Sequence, residues 1–407
     1  MSVRQDWTPA EAAELYRVRA WGSGYYALSD DGKVTVRVDS PSGRVSVPLL
    51  DMVYGMIERD LQMPVLLRVE NLLDAQIARL NETFRDAIET LGYQGEYRGL
   101  FPIKVNQQRQ VIEEVAAFGA RYQHGLEAGS KAELIIALAM LGDRDSMIVC
   151  NGYKDREFVD LGLLAQKIGY SCIFVIESPT ELTTLLKCSE ALGIRPRIGV
   201  RIKLSIRVGG MWNETSGDRS MFGLTTSQLI DVVDTLKARG MLDCLELLHY
   251  HLGSQIPNIR DIRGGVLEAC RYYVDLVQEG APMGYLDLGG GLAVDYEGSH
   301  ANHPHSMNYS LHEYCADVVE TVMTTLDPAG VSHPVIITES GRATVAYASV
   351  LLFNILDVTR FEPGKRVEDA GEAEHALIQS LQEVHAAISP DTLQECYNDA
   401  LYYLDEI

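Results

Sequence analysis

The run Arg98-Gly99-Leu100-Phe101-Pro102-Ile103-Lys104-Val105 is short, apolar and closed by a cation. Seven more runs of this kind follow, at 122–127, 146–151, 171–177, 196–203, 244–251, 285–289 and 334–339, each separated from the last by a segment with helical spacing. Strict strand-then-helix order implies a parallel sheet in the α/β class. Eight is the number that closes a (β/α)8 TIM barrel, with an open doubly wound sheet as the alternative that order alone allows.

Outward from the first strand, residues 71–91 place Leu72, Leu73, Ile77, Leu80, Phe84, Ile88 and Leu91 at three- and four-residue intervals, which predicts an amphipathic helix. Residues 25–50 alternate around two turns, Ser29-Asp30-Asp31-Gly32 and Ser40-Pro41-Ser42-Gly43, with Val34, Val36, Val38, Val45 and Val47 at period two. After Gly341 the β-formers of 343–358 predict strand without a crossover helix, and their natural partner is the N-terminal β element. From Val367 the pattern turns helical, with Leu377, Leu381 and Val384 on one face, then Leu393 and Tyr397 after Pro390. The expected layout is an N-terminal β element at 1–69, a barrel at 70–342, strand towards a partial β domain at 343–364, and a C-terminal helical segment at 365–407.

A chain of 407 residues holds a barrel of about 250 and satellite elements besides. No stretch approaches the roughly 20 apolar residues that span a bilayer. Met1 to Trp7 carries Arg4 and Asp6 and lacks the apolar block of a secretory signal. Seven cysteines (Cys150, Cys172, Cys188, Cys244, Cys270, Cys315, Cys396) are scattered without C-x-x-C spacing, which argues against a disulfide framework or zinc site and for a reduced, cytoplasmic setting. The net charge of −22 excludes nucleic acid as an expected partner. It could draw in a cationic substrate or simply serve solubility.

Barrel enzymes carry reactive side chains at the C-terminal strand ends. Here those ends read Lys104, Glu127, Asn151, Glu177, Arg201, His251, Gly289-Gly290-Gly291 and Glu339. Burial would lower the pKa of Lys104, and a neutral amine condenses with an aldehyde as a Schiff base; a lysine snorkelling from the strand end reads the same. The triple glycine after the seventh strand could hold a phosphate through close backbone N–H groups, or be a flexible turn. Glu339 could keep a pyridine nitrogen protonated while Arg342 reaches the phosphate, or the two could form an ion pair across the turn. His251 could stack on a cofactor ring and Ser254 donate to its phosphate, unless the histidine is structural.

Taken together these residues resemble the alanine racemase-like barrel class of pyridoxal-phosphate enzymes, which includes the ornithine, diaminopimelate and arginine decarboxylases. The order of matches is Lys104 for the cofactor amine, His251 for the stacked ring, Ser254 and Gly289, Gly290 and Gly291 for the phosphate, and Glu339 with Arg342 for the ring nitrogen and a phosphate contact. Glu127 and Arg201 fall where the class keeps an acid and an arginine near the cofactor. Four longer strings resemble the biosynthetic arginine decarboxylase family: Lys104-Val105-Asn106-Gln107, Glu127-Ala128-Gly129-Ser130-Lys131-Ala132-Glu133-Leu134, Cys150-Asn151-Gly152-Tyr153-Lys154-Asp155-Arg156-Glu157 and His251-Leu252-Gly253-Ser254-Gln255.

That resemblance implies decarboxylation of L-arginine to agmatine in polyamine (putrescine and spermidine) biosynthesis, with pyridoxal 5'-phosphate and Mg2+ as cofactors, the metal's ligands being unassigned. It implies Lys104, His251 and Glu339 as catalytic residues, and a homo-oligomer in the complete enzyme. It places Leu286-Asp287-Leu288-Gly289-Gly290-Gly291-Leu292-Ala293-Val294-Asp295-Tyr296 beside the amino-acid substrate. Family members also use a Cys-Asp pair from a C-terminal β domain, and no cysteine here precedes an aspartate. The expectation is therefore a fragment or one half of a split protein, poorly active alone. A barrel relative acting on ornithine, lysine or diaminopimelate, or a non-catalytic cofactor-binding homologue, stays open.

Overall fold

In the computed structural model, which describes residues 8–40, 43–206, 220–359 and 375–406, the strand Tyr97–Pro102 pairs in parallel with Gly125–Ala128 on one side and Val335–Thr338 on the other. That second pairing, Ile336 opposite Tyr97, closes the barrel. The remaining staves are Met147–Cys150, Ser171–Ile176, Ile198–Arg201, Leu245–His249 and Tyr285–Asp287, in sequence order around the ring. All eight expected strands are present, and the open sheet is excluded.

The two-residue period of each strand sorts its side chains. Leu100, Met147, Val149, Ile173, Val175, Leu247 and Ile337 fill the barrel interior as one cluster. Phe101, Leu126, Ile148, Phe174, Leu248 and Ile336 point outward and join the core shared with the helices. The expected helix is Asn71–Leu91, burying Leu72, Leu73, Ile77, Leu80 and Phe84 and ending at Gly92 in left-handed conformation. Phe84 stacks on Tyr97 of the first strand, ring centroids 3.9 Å apart, which fixes this helix against the barrel wall.

The strand expected over 343–358 is corrected. The turn after Glu339 nucleates a short helix, Gly341–Val345, because the Ser340 carbonyl accepts both the Thr344 N–H and its hydroxyl. Strand is confined to Ser349–Leu352, and its antiparallel partner is Val65–Arg68, four residues too short to stand out in the sequence. The N-terminal element instead forms its own meander, Tyr26–Leu28, Val34–Ser40 and Gly43–Pro48, in which the central strand is paired on both sides. The chain divides into two units, Met1–Leu352 and Phe353–Ile407. In the second, helices Ala376–Ala387 and Leu393–Glu406 pack on each other. The expected onset of helix at Val367, the turn residues Pro41 and Ser42, and Met1 to Trp7 lie outside the described residues. All seven cysteines are free and buried, and no described helix is long and apolar enough to cross a membrane.

Candidate active site

Lys104 does not end the first strand; it sits two residues further on, in the 3-10 turn Ile103–Val105 that carries the chain over the barrel mouth. The turn buries Ile103 completely and leaves the lysine half exposed, its Nζ 3.4 Å from Glu127 Oε2. The expected lowering of its pKa is corrected in direction. Partial burial does push the ammonium towards neutrality, but the charges of Glu127 and Glu339 outweigh it and raise the pKa above the ordinary lysine value.

Those carboxyls are themselves perturbed. Glu127, on the second strand and fully buried, is pushed up to about 7 by burial and by the neighbouring charge of Glu339, against the pull of Lys104. Glu339 is raised by burial and by Asp287, and its Oε1 accepts a 2.8 Å hydrogen bond from Asn151 Nδ2. It makes no ion pair with Arg342 among the described residues. Asp287, fully buried, is raised to about 7, chiefly by burial, while its Oδ1 accepts from the Gly289 N–H. Next to it lies His249, whose Nδ1 is 3.0 Å from Asp287 Oδ2 and 3.8 Å from Glu339 Oε1; burial holds the ring near pKa 4, unprotonated.

His251 follows the sixth strand, in the loop, and its Nδ1 accepts from the Gly290 N–H at 3.1 Å. Burial and the Arg201 charge hold it unprotonated, so this nitrogen is free to accept. The turn around it requires glycine: Gly289 has φ +61°, and a Cβ there would meet the Tyr250 carbonyl oxygen at 2.4 Å. Arg342 extends from the short helix, Nε 3.2 Å and Nη2 3.1 Å from Ser254 Oγ, and Nη1 3.2 Å from the Tyr296 hydroxyl. Arg201 pairs with Glu177 at 2.9 Å. Glu177 stays below the ordinary glutamate range because Arg201, Lys154 and His249 outweigh its burial.

The segment Leu286 to Tyr296 is divided by the fold. Leu286, Leu288, Leu292, Ala293 and Val294 are buried, the first four in the core shared with the helices. Asp287 faces the barrel axis, and Asp295 ties its own loop by accepting from Gly298 N–H, Ser299 N–H and Ser306 Oγ. Tyr296 reaches Arg342.

Residues 76–346 match the family described as pyridoxal-dependent decarboxylase, pyridoxal binding domain. The chain belongs to the pyridoxal-dependent decarboxylases. Residues 371–407 match an arginine decarboxylase helical bundle domain. Among similar decarboxylases, the biosynthetic arginine decarboxylase of Gloeobacter violaceus is 45% identical over 402 residues, 99% of this chain and 62% of its own length. That of Rhodopirellula baltica is 48% identical over 353 residues, 87% of this chain and 52% of its length. The crystal structure of SpeA, the biosynthetic arginine decarboxylase of Campylobacter jejuni, is similar with TM-score 0.76 at 30% identity, covering 96% of this chain and 64% of that one. Diaminopimelate decarboxylase of M. jannaschi shares the fold, with TM-score 0.64 at 20% identity. The chain thus spans 62% of the length of the Gloeobacter relative.

The residues present fit the cofactor of a pyridoxal-dependent decarboxylase. An amine, buried carboxyls from the two neighbouring staves, and an arginine with hydroxyls and close-packed glycines all open on one barrel mouth. Both Glu127 oxygens and Asn151 Oδ1 are buried without a hydrogen-bond partner, which marks an environment built for polar contacts. Sequence reading passed over His249 and the position of Asp287. The signal was available: in His249-Tyr250-His251 the period of two sends both histidines to one face and Tyr250 to the other.

Proposed function

We propose that this chain is the cofactor-bearing part of a pyridoxal-phosphate enzyme that decarboxylates L-arginine to agmatine and carbon dioxide for polyamine synthesis. The observation that carries the reading is the meeting of Lys104, Glu127, Glu339 and the Ser254–Arg342 cradle at one barrel mouth, in a chain whose helical tail also matches an arginine decarboxylase domain.

Lys104 Nζ is the nucleophile for the cofactor aldehyde, and its proton has a receiver 3.4 Å away in Glu127, whose affinity for it is matched to neutral pH. Glu339 is the partner for the pyridine nitrogen, oriented by Asn151. His251, neutral and tied to Gly290, offers a ring face, while Ser254, Gly289 to Gly291 and Arg342 serve the phosphate. Arg201, held by Glu177, lines the same mouth. Pyridoxal phosphate bound there supplies an electron sink for the pair released from the Cα–carboxylate bond. Seven free cysteines support a cytoplasmic setting.

Among the described residues a magnesium requirement finds no matching site. His249, Asp287 and Glu339 bring ligand atoms within 4.8 Å of one another, but all three are buried and one offers an imidazole nitrogen, whereas Mg2+ prefers oxygen and keeps several waters. No step is assigned to the metal.

Purified chain mixed with pyridoxal phosphate is expected to develop a visible absorbance band that Lys104→Ala abolishes. Carbon dioxide release should then favour arginine over ornithine, lysine and diaminopimelate. No Lys104-dependent band, or preference for another amino acid, overturns the reading.

A further inference from the structure

Arg342 is an unpaired cation in a chain of net charge −22: among the described residues no carboxylate lies in ion-pair contact with it. Its partners are two hydroxyls from different loops. Nε and Nη2 donate to Ser254 Oγ, and Nη1 donates to the Tyr296 hydroxyl at 3.2 Å. A guanidinium has donors and no acceptor, so in each contact the hydroxyl oxygen accepts. The protons of Ser254 and Tyr296 are thereby turned away from the arginine and left to donate elsewhere. A positive fork flanked by two hydroxyls that must donate outward is complementary to an anion with several acceptor oxygens, and a phosphate dianion has that form. The ammonium or guanidinium of a basic amino acid does not.

We propose that Tyr296 is a phosphate-binding residue of the cofactor site, its hydroxyl completing with Ser254 and Arg342 a three-sided cradle. This rests on the reading of the mouth as a pyridoxal-phosphate site. It moves Tyr296 from the substrate, where its membership of the 286–296 segment had put it, to the cofactor. Backbone geometry agrees with the division: Asp295, immediately before it, anchors the 295–306 loop through backbone N–H groups of Gly298, Ser299 and His300, so the tyrosine leaves a fixed point.

The test uses the chain freed of cofactor and titrated, by the quenching of its own fluorescence, with pyridoxal phosphate and with pyridoxal, which lacks the phosphate. Tyr296→Phe keeps the ring, and at 46% exposure the residue is not part of the core. Loss of one hydrogen bond to a charged group is expected to weaken pyridoxal phosphate about tenfold. Pyridoxal affinity should not change, and Ser254→Ala should behave likewise. Unchanged affinity for pyridoxal phosphate in Tyr296→Phe, or equal weakening of both ligands, overturns the assignment while leaving the cofactor reading intact. A parent chain that shows no Lys104-dependent binding overturns both.

Discussion

Lys104 Nζ lies 3.4 Å from Glu127 Oε2, and the two groups pull each other towards opposite protonation states: the carboxylate holds the ammonium charged, while burial drives the carboxyl towards neutral. An amine that must become neutral to react is thus paired with the acid that can take its proton.

Glu127→Gln removes the larger of the two charges that raise Lys104 while leaving burial, which lowers it. The pH at which capture of pyridoxal phosphate is half-maximal should therefore move down, read from the rate at which the visible band grows. A shift upward, or none, shows that Glu127 does not set the state of the lysine.

Asp287 carries its carboxyl from the ordinary 3.8 to about 7 in the folded protein. A group whose folded pKa is raised favours the fold while protonated, and that contribution fades as pH climbs from 3.8 towards 7. Its full cost above neutrality is at most ~4 kcal/mol. Asp287→Asn keeps an oxygen for the Gly289 N–H and should unfold at higher urea than the parent at alkaline pH, with the gap closing in acid. A gap independent of pH would falsify the assignment.

Gly289→Ala drives a Cβ to 2.4 Å from the Tyr250 carbonyl oxygen, at a φ of +61°. Loss of pyridoxal phosphate affinity is expected, since the turn must move. Gly284 has nothing within 4 Å of the same atom. Alanine there should stay within about 0.5 kcal/mol of the parent in stability and bind the cofactor normally.

Phe84→Ala empties a fully buried site stacked on Tyr97. The expected loss is about 3–5 kcal/mol, measured by urea unfolding. Because Tyr97 hydrogen-bonds Thr338 across the barrel seam at 2.8 Å, near-UV circular dichroism should report the same loosening. A loss below about 1 kcal/mol would show that the helix does not brace the seam.

Much of the site was legible because barrel chemistry follows local pattern: a strand end is recognisable, and the loops there converge whatever their length. Lys104, Glu127, His251 and Glu339 were found in that way, and the structure brings them to one mouth. Two kinds of information were missing. The state of Lys104 depends on charges contributed by staves 23 and 235 residues away in sequence, Glu127 and Glu339, and no local rule contains that sum. The partner of Ser349–Leu352 depends on which unpaired edge lies nearby, and Val65–Arg68 won over the longer meander for that reason.

Amino-acid order by itself determined the eight strands, their alternation with helices and the face on which reactive groups stand, because periods of two and 3.6 are local properties of the backbone. Tertiary structure alone decided which of those groups share a proton, that Arg342 turns from Glu339 to Ser254 and Tyr296, and that most of the 286–296 segment serves packing. Distance and burial set both charge and hydrogen bonding, and neither exists until the barrel has closed.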